Sequence, residues 1–173
     1  MQQYKFFEGK ILALKTNEVI VFGSNLSGFH GAGAAGFALR GFYENSWRED
    51  SWFLQAMKSN IHQDKIGKYA IYGVSKGFMT GKEGSSYAIQ TIVRPGLKRS
   101  ISLSEIASQI NEFLLFAQSN PKLTFYVTEI ACNYAGYHYH EIAPLFKQAL
   151  YIKNVILPIA FKESLRVFEK YQI

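Results

Sequence analysis

Apolar positions along this chain fall into short β-type runs separated by longer faces of helical spacing. The clearest run is Val19-Ile20-Val21-Phe22, whose length and β-branched residues predict a buried strand. Gly23, Ser24 and Asn25 end it, a loop carrying Gly28, Gly31 and Gly33 follows, and small residues from about Ala32 to Arg40 predict a helix. Upstream, residues 3–7 alternate weakly and predict an edge strand, with Lys10 to Leu14 as a second strand or a turn. Asn45 to Gln63 is rich in aromatic and charged residues, and a helix is predicted near Ser51–Ser59, with Trp47 and Trp52 as packing anchors.

Residues 69–92 read as a hairpin, with strands YAIYG and YAIQTIV around the polar, glycine-rich loop KGFMTGKEGSS. Ser102 and Glu105 have capping-box spacing, and Ile106, Ile110, Phe113, Leu114 and Ala117 continue it as one helical face that Asn120-Pro121 stops. Leu123 to Ile130 predicts a second buried strand running into the loop 131–137. A helix from Tyr139 to Leu150, a strand over Asn154–Pro158 and a helix over Lys162–Tyr171 complete the pattern. Strands alternating with helices imply an α/β fold, a three-layer α/β/α sandwich around a mixed, largely parallel sheet. The loops after Phe22 and after Ile130 both leave strand carboxyl ends, where such sheets hold ligands.

The 173 residues suit one domain, 1–173, and a hydrophobic share of 48% excludes a disordered chain. A net charge of +6, from 19 basic and 13 acidic residues, suits an anionic ligand. No apolar run approaches the ~20 residues of a membrane span. The N-terminal MQQYKFFEGK lacks a signal-peptide core, and Cys132 is the only cysteine, so a cytoplasmic setting without a membrane partner is expected.

The chemistry concentrates in the stretch from Glu18 to Phe42. Strand, glycine-rich turn and helix N-terminus form an anion site, because glycines admit a ligand close to the backbone and the first helical N–H groups have no intrahelical partner. The alternative is a tight strand-to-helix turn without a ligand. Gly31-Ala32-Gly33-Ala34-Ala35-Gly36 spells G-x-G-x-x-G, yet seven residues separate Gly23 from Gly31 and no acid-terminated second strand follows. A dinucleotide fold is therefore not expected.

A different resemblance fits. Asn25-Leu-Ser-Gly-Phe-His30-Gly31-Ala-Gly33-Ala-Ala35-Gly36 resembles the first ligand loop of macro domains, the ADP-ribose-binding family, above all the viral pattern N-x-x-x-x-H-G-G-G-V-A-G. Asn133-Tyr134-Ala135-Gly136-Tyr137 resembles the family's G-[IV]-[FY]-G segment, and FGSNLxGxHGAGAA resembles uncharacterised bacterial and phage macro-like proteins. The resemblance implies ADP-ribose or a related phosphorylated nucleotide as ligand, with ADP-ribosylated proteins or nucleic acid as further partners. It assigns Asn25 to the distal ribose and His30 to assisting attack of water at the 1″ position. Ligand contacts would come from Gly23, Ser24, Gly28, Gly31, Ala32, Gly33, Ala34 and Ala35 in the first loop, and from Cys132, Asn133, Tyr134, Ala135, Gly136 and Tyr137 in the second.

The chain departs from the family at three points. Gly9-Lys10-Ile11 carries no acid where the adenine-binding aspartate belongs, Ala35 replaces the acid of one cellular hydrolase branch, and Asn133 and Ala135 replace a glycine and an aromatic. Tyr134 or Tyr137 would then supply the stacking surface. Three functions stay open: a hydrolase at the 1″ position (a phosphatase of ADP-ribose 1″-phosphate or an ADP-ribosyl hydrolase), a binding module, and a structural or interaction protein with a degenerate pocket. The absence of an evident carboxylate base favours binding. Cys132 has no base in view to make it a nucleophile. His138 and His140 diverge on a helix and lack a third ligand, so no metal is expected, nor any cofactor. Arg94, Lys98 and Arg99 read as a solvated turn or as part of a nucleic-acid surface.

Overall fold

The structure, a computed structural model, describes residues 5–43 and 66–170. The helix expected near Ser51–Ser59, with Trp47 and Trp52, lies outside the described residues.

Strand β2 (Glu18–Asn25) carries the central run. Val19 and Val21 enter one apolar cluster, Ile20 and Phe22 the other, and all four are fully buried. Burial on both faces is why the run is continuously apolar rather than alternating. Each of these side chains contributes roughly 1.5–3 kcal/mol by leaving water. β2 pairs in parallel with β4 (Ser85–Ile92) on one side and β5 (Thr124–Val127) on the other. With β1 (Phe6–Phe7), β3 (Gly77–Thr80) and β6 (Val155–Pro158), the sheet order is β1-β6-β5-β2-β4-β3. Every pairing is parallel except β3 with β4.

Helix α1 (Gly33–Arg40) packs Phe37 and Ala38 on the face of Ile20 and Phe22. On the other face lie α2 (Leu103–Ser119), α3 (Tyr139–Ile142), a 3-10 helix (Ala143–Tyr151) and α4 (Lys162–Lys170). The expected helical face of α2 is buried throughout, and Ser102 Oγ accepts a hydrogen bond from the Glu105 N–H at 3.2 Å. No helix among the described residues is long and apolar enough to cross a membrane.

The hairpin differs from expectation. Residues 69–73 form no strand, because their backbone serves α1: the N–H groups of Lys68 and Tyr69 donate to the carbonyls of Leu39 and Ala38. The strand antiparallel to β4 is instead Gly77–Thr80, inside the expected loop, and the turn falls at 81–84, where the Gly81 N–H donates to Gly84 O. Residues 10–14 form no strand. Ile11 and Leu14 pack on the cluster of Ile20 and Phe22, and the turn into β2 is closed by Glu18, whose N–H bonds Lys15 O and whose carboxylate accepts from the Lys15 N–H. β5 is shorter than expected, so Thr128 to Ile130 leave the sheet and are available to a site. The helix expected over Tyr139–Leu150 is a single α-turn continued as a 3-10 helix.

Candidate functional site

β4 and β5 flank β2 on opposite sides, so the order of the parallel strands reverses at β2. A crevice opens at such a switch point, beyond the strand carboxyl ends. A cavity of about 450 Å³ occupies this position, within the usual size range of small-molecule sites. Gly23, Ser24 and Asn25 of β2, Thr91 and Ile92 of β4, and the segment from Thr128 to Ala131 after β5 line it. The Gly-rich loop and the second loop form its two walls, the first through Phe29 and Gly31 to Ala35, the second through Asn133, Tyr134 and Ala135.

The cavity meets α1 at its N-terminus. Ala32, the N-cap residue, supplies no side-chain hydrogen bond, and the first turn holds no acid. The first N–H groups and the positive end of the helix dipole are therefore left for an anion. Arg40 folds back along the helix and donates from Nη1 to Gly31 O at 2.9 Å, which fixes that peptide.

Asn25, 4% exposed, both lines the cavity and builds the loop. Its Oδ1 accepts from Ser27 Oγ at 2.8 Å and from the Phe29 N–H at 3.0 Å, and its Nδ2 donates to Phe29 O at 2.8 Å. A primary amide carries two hydrogens, and one on Nδ2 is taken by this bond.

His30 sits differently from what the resemblance implies. It is 1% exposed and lies behind the loop, outside the cavity lining. Nε2 is 3.2 Å from Ile71 O and 3.0 Å from Val74 O, so it carries the proton and donates to these acceptor-only groups. Nδ1 faces Ser24 Oγ at 3.5 Å, and the ring stands edge-on to Phe22. Burial pushes the His30 pKa from 6.5 down to about 4, against the smaller opposing pull of the two carbonyls. This neutral imidazole ties the loop to residues 71–74. Gly28 belongs to the same seam: φ is +69°, and a Cβ would stand 2.4 Å from the Gly73 carbonyl carbon, so only glycine fits there.

The second loop is clamped from outside the cavity. The Arg99 guanidinium pairs bidentately with Glu141 at 2.9 and 2.8 Å, lies 4.7 Å from the Tyr137 ring centre, and the Arg99 N–H donates to Ala135 O. The Arg99 hydrogen bonds, aided by the His138 N–H, hold the Glu141 carboxyl at about 2. Tyr137 is buried, with its hydroxyl donating to Ile101 O at 2.6 Å, so it is a structural strut and offers no stacking surface. Tyr134 remains exposed at the cavity. Ala131 takes φ +63°, a left-handed conformation that costs a residue with a Cβ of order 1 kcal/mol or more, and it does so in the cavity wall.

Cys132 and Gly136, expected as contacts, also fall outside the lining. The Cys132 thiol donates to Ile130 O, and burial together with Glu129 and Glu141 pushes its pKa up to about 12. It is no thiolate at neutral pH. His138 and His140 do not diverge: their rings stack 5.4 Å apart, 8° from parallel. Among the described residues no three His, Cys, Asp or Glu side chains gather as a metal site.

The lining also includes an acidic residue that the apolar run from Leu123 to Ile130 placed inside a strand. Glu129 follows the end of β5, lines the cavity, and accepts a hydrogen bond from the Tyr139 hydroxyl at 2.7 Å. The signal was an acid next to the carboxyl end of an apolar strand, a position the core does not tolerate. Thr91, Pro95 and Gly96 join the lining from the turn after β4, which carried no chemical motif. β4 is held there by reciprocal amide bonds between Gln109 and the backbone of Gln90. No protein-family model matches the chain, and no curated protein matches it.

Proposed function

We propose that this protein is a binding module of macro-domain type for ADP-ribose or a related phosphorylated nucleotide, free or carried on a partner. The observation that carries the proposal is the uncapped, acid-free N-terminus of α1 opening into a cavity at the switch point of the sheet. A phosphate there meets backbone N–H donors and the helix dipole, worth on the order of 1 kcal/mol beyond the hydrogen bonds. Tyr134 offers an exposed aromatic face to a base, and Asn25 offers one N–H to a sugar oxygen.

Binding is preferred to turnover because His30, the residue proposed to assist hydrolysis, donates its proton to two carbonyls and does not line the cavity. A thermal-shift screen against ADP-ribose, ADP-ribose 1″-phosphate, NAD, AMP and a short RNA tests the proposal. At a hundred times its dissociation constant, a ligand stabilises the fold by roughly 2.7 kcal/mol. That corresponds to about 5–10 °C for a domain of this size. No shift with any phosphorylated nucleotide rejects it.

A further inference from the structure

A groove of about 560 Å³ runs along α2 and shares no lining residue with the ligand cavity. Leu26 and Val93 give it an apolar wall, although they are 50% and 36% exposed. α2 contributes Glu105 and Glu112. Glu112 is paired with Lys76 at 3.2 Å, whereas the Glu105 carboxylate has no hydrogen-bond or ion partner among the described residues. Beside the groove, residues 93–100 form a closed turn. The Leu97 N–H donates to Arg94 O, and Ser100 Oγ, part of the groove lining, accepts from the Val93 N–H and donates to Leu97 O. Leu97 is 37% exposed on this turn and does not line the groove beside it. Of the two flanking cations, Lys98 lays its stem against Gly136 of the second loop, and Arg94 is exposed with no ion partner among the described residues.

We propose that this face is a self-association surface, where Leu97 of each copy enters the groove of the other and Arg94 faces Glu105 of the partner subunit. An apolar tip beside a free cation and an apolar groove beside a free carboxylate are complementary. Both lie on one stretch of surface, so two copies related by a twofold axis exchange them reciprocally, as an isologous interface requires. The contact has an apolar centre and a charged rim, the usual anatomy of an interface. A turn seated in a groove is a small contact, so the dimer is weak, with a dissociation constant on the order of 100 μM. The same turn lines the ligand cavity through Pro95 and Gly96, which places the interface next to that cavity, but the association does not depend on what the cavity binds.

Sedimentation equilibrium of the full chain without ligand, from about 10 μM to about 1 mM, tests the proposal. Wild type should pass from monomer to dimer over that range. Leu97→Asp, at an exposed position and checked for an unchanged melting temperature, should weaken the dimer at least about tenfold. Arg94→Glu and Glu105→Lys should each weaken self-association, because each sets like charges across the interface twice. Mixed in equal amounts, these two variants should associate more tightly than either does alone, since residues 94 and 105 then face each other with opposite sign in both halves of the contact. A folding defect is not rescued by mixing. Wild type still monomeric at about 1 mM overturns the proposal and leaves the face to a partner of another sequence. A dimer unaffected by Leu97→Asp overturns it too, and so does a mixture that associates no better than its components.

Discussion

The Tyr134 ring stands over Gly33, with its Cε2 only 3.3 Å from where a Cβ on that glycine would lie. The two loops therefore approach one another at the cavity that both line. Gly33 also holds φ +58°, which a β-branched residue adopts only under strain. Gly33→Val should fold, with a destabilisation of about 1–2 kcal/mol from the left-handed backbone. It should bind ADP-ribose at least about a hundredfold more weakly, or ~2.8 kcal/mol. Equal affinity by calorimetry in a folded Gly33→Val protein removes the anion site.

What the sequence disclosed and what it hid divide along a physical line. β2, α1 and α2 were legible because their signals are local: an apolar run, small residues after glycines, and a capped face of helical spacing. The misplaced hairpin strand was not, because Lys68 and Tyr69 spend their N–H groups on α1 while Ala70 O accepts from the Gly67 N–H, a choice that alternation does not encode. At the site, the glycines were readable from the strand-turn-helix pattern, and Asn25 from the resemblance of its loop. His30 was readable as a loop histidine, but its partners at Ile71 and Val74 come from a distant segment. Glu129 was hidden by the apolar run preceding it, since strand length cannot be read to the residue from hydrophobicity. The stacking of His138 on His140 was missed for a related reason, as His138 precedes the helix and is not on it.

The outer clamp on the second loop makes a distinct prediction. Arg99 and Glu141 are partly exposed, so their pairing is screened by salt. With the carboxyl held at about 2, the pair should persist at pH 4. Its loss should loosen the loop 131–137 without unfolding the core. Glu141→Gln should raise amide hydrogen exchange over these residues and weaken ADP-ribose binding a few-fold, and 1 M salt should reproduce part of the effect in wild type. Unchanged exchange in this loop refutes the clamp.

Base specificity should be weak. Where the macro-domain resemblance would put an adenine-binding acid, Lys10 lies over the Tyr43 ring and Ile11 packs on the core, and neither lines the cavity. The base is left to the exposed face of Tyr134, and stacking accepts any base. Replacing adenine by hypoxanthine in the ligand should change affinity less than about tenfold, or 1.4 kcal/mol. Tyr134→Ala should cost roughly 1–3 kcal/mol with either base. A preference for adenine beyond tenfold points to a base-reading residue other than Tyr134.

Acid should open the seam that His30 closes. The folded protein holds this imidazole neutral down to about 4, whereas in the unfolded chain it titrates near 6.5. Above 6.5 both states are neutral and the seam contributes fully. As pH falls below 6.5 the unfolded chain takes up a proton that the folded one refuses, so stability declines until about pH 4 and then levels off. The full difference amounts to about 3 kcal/mol. His30→Gln keeps an N–H donor for the Ile71 and Val74 carbonyls and removes the titration. Its melting temperature should therefore be lower than wild type at pH 7.5, and the gap should narrow or reverse by pH 4.5. His30→Ala leaves both carbonyls without their donor and opens a cavity, so it should be the less stable variant at every pH. Because His30 lies behind the loop, its variants should weaken ADP-ribose binding only as far as the loop shifts, with Gln closer to wild type than Ala. A wild-type-minus-Gln stability difference that stays flat from pH 7.5 to 4.5 contradicts the buried neutral imidazole.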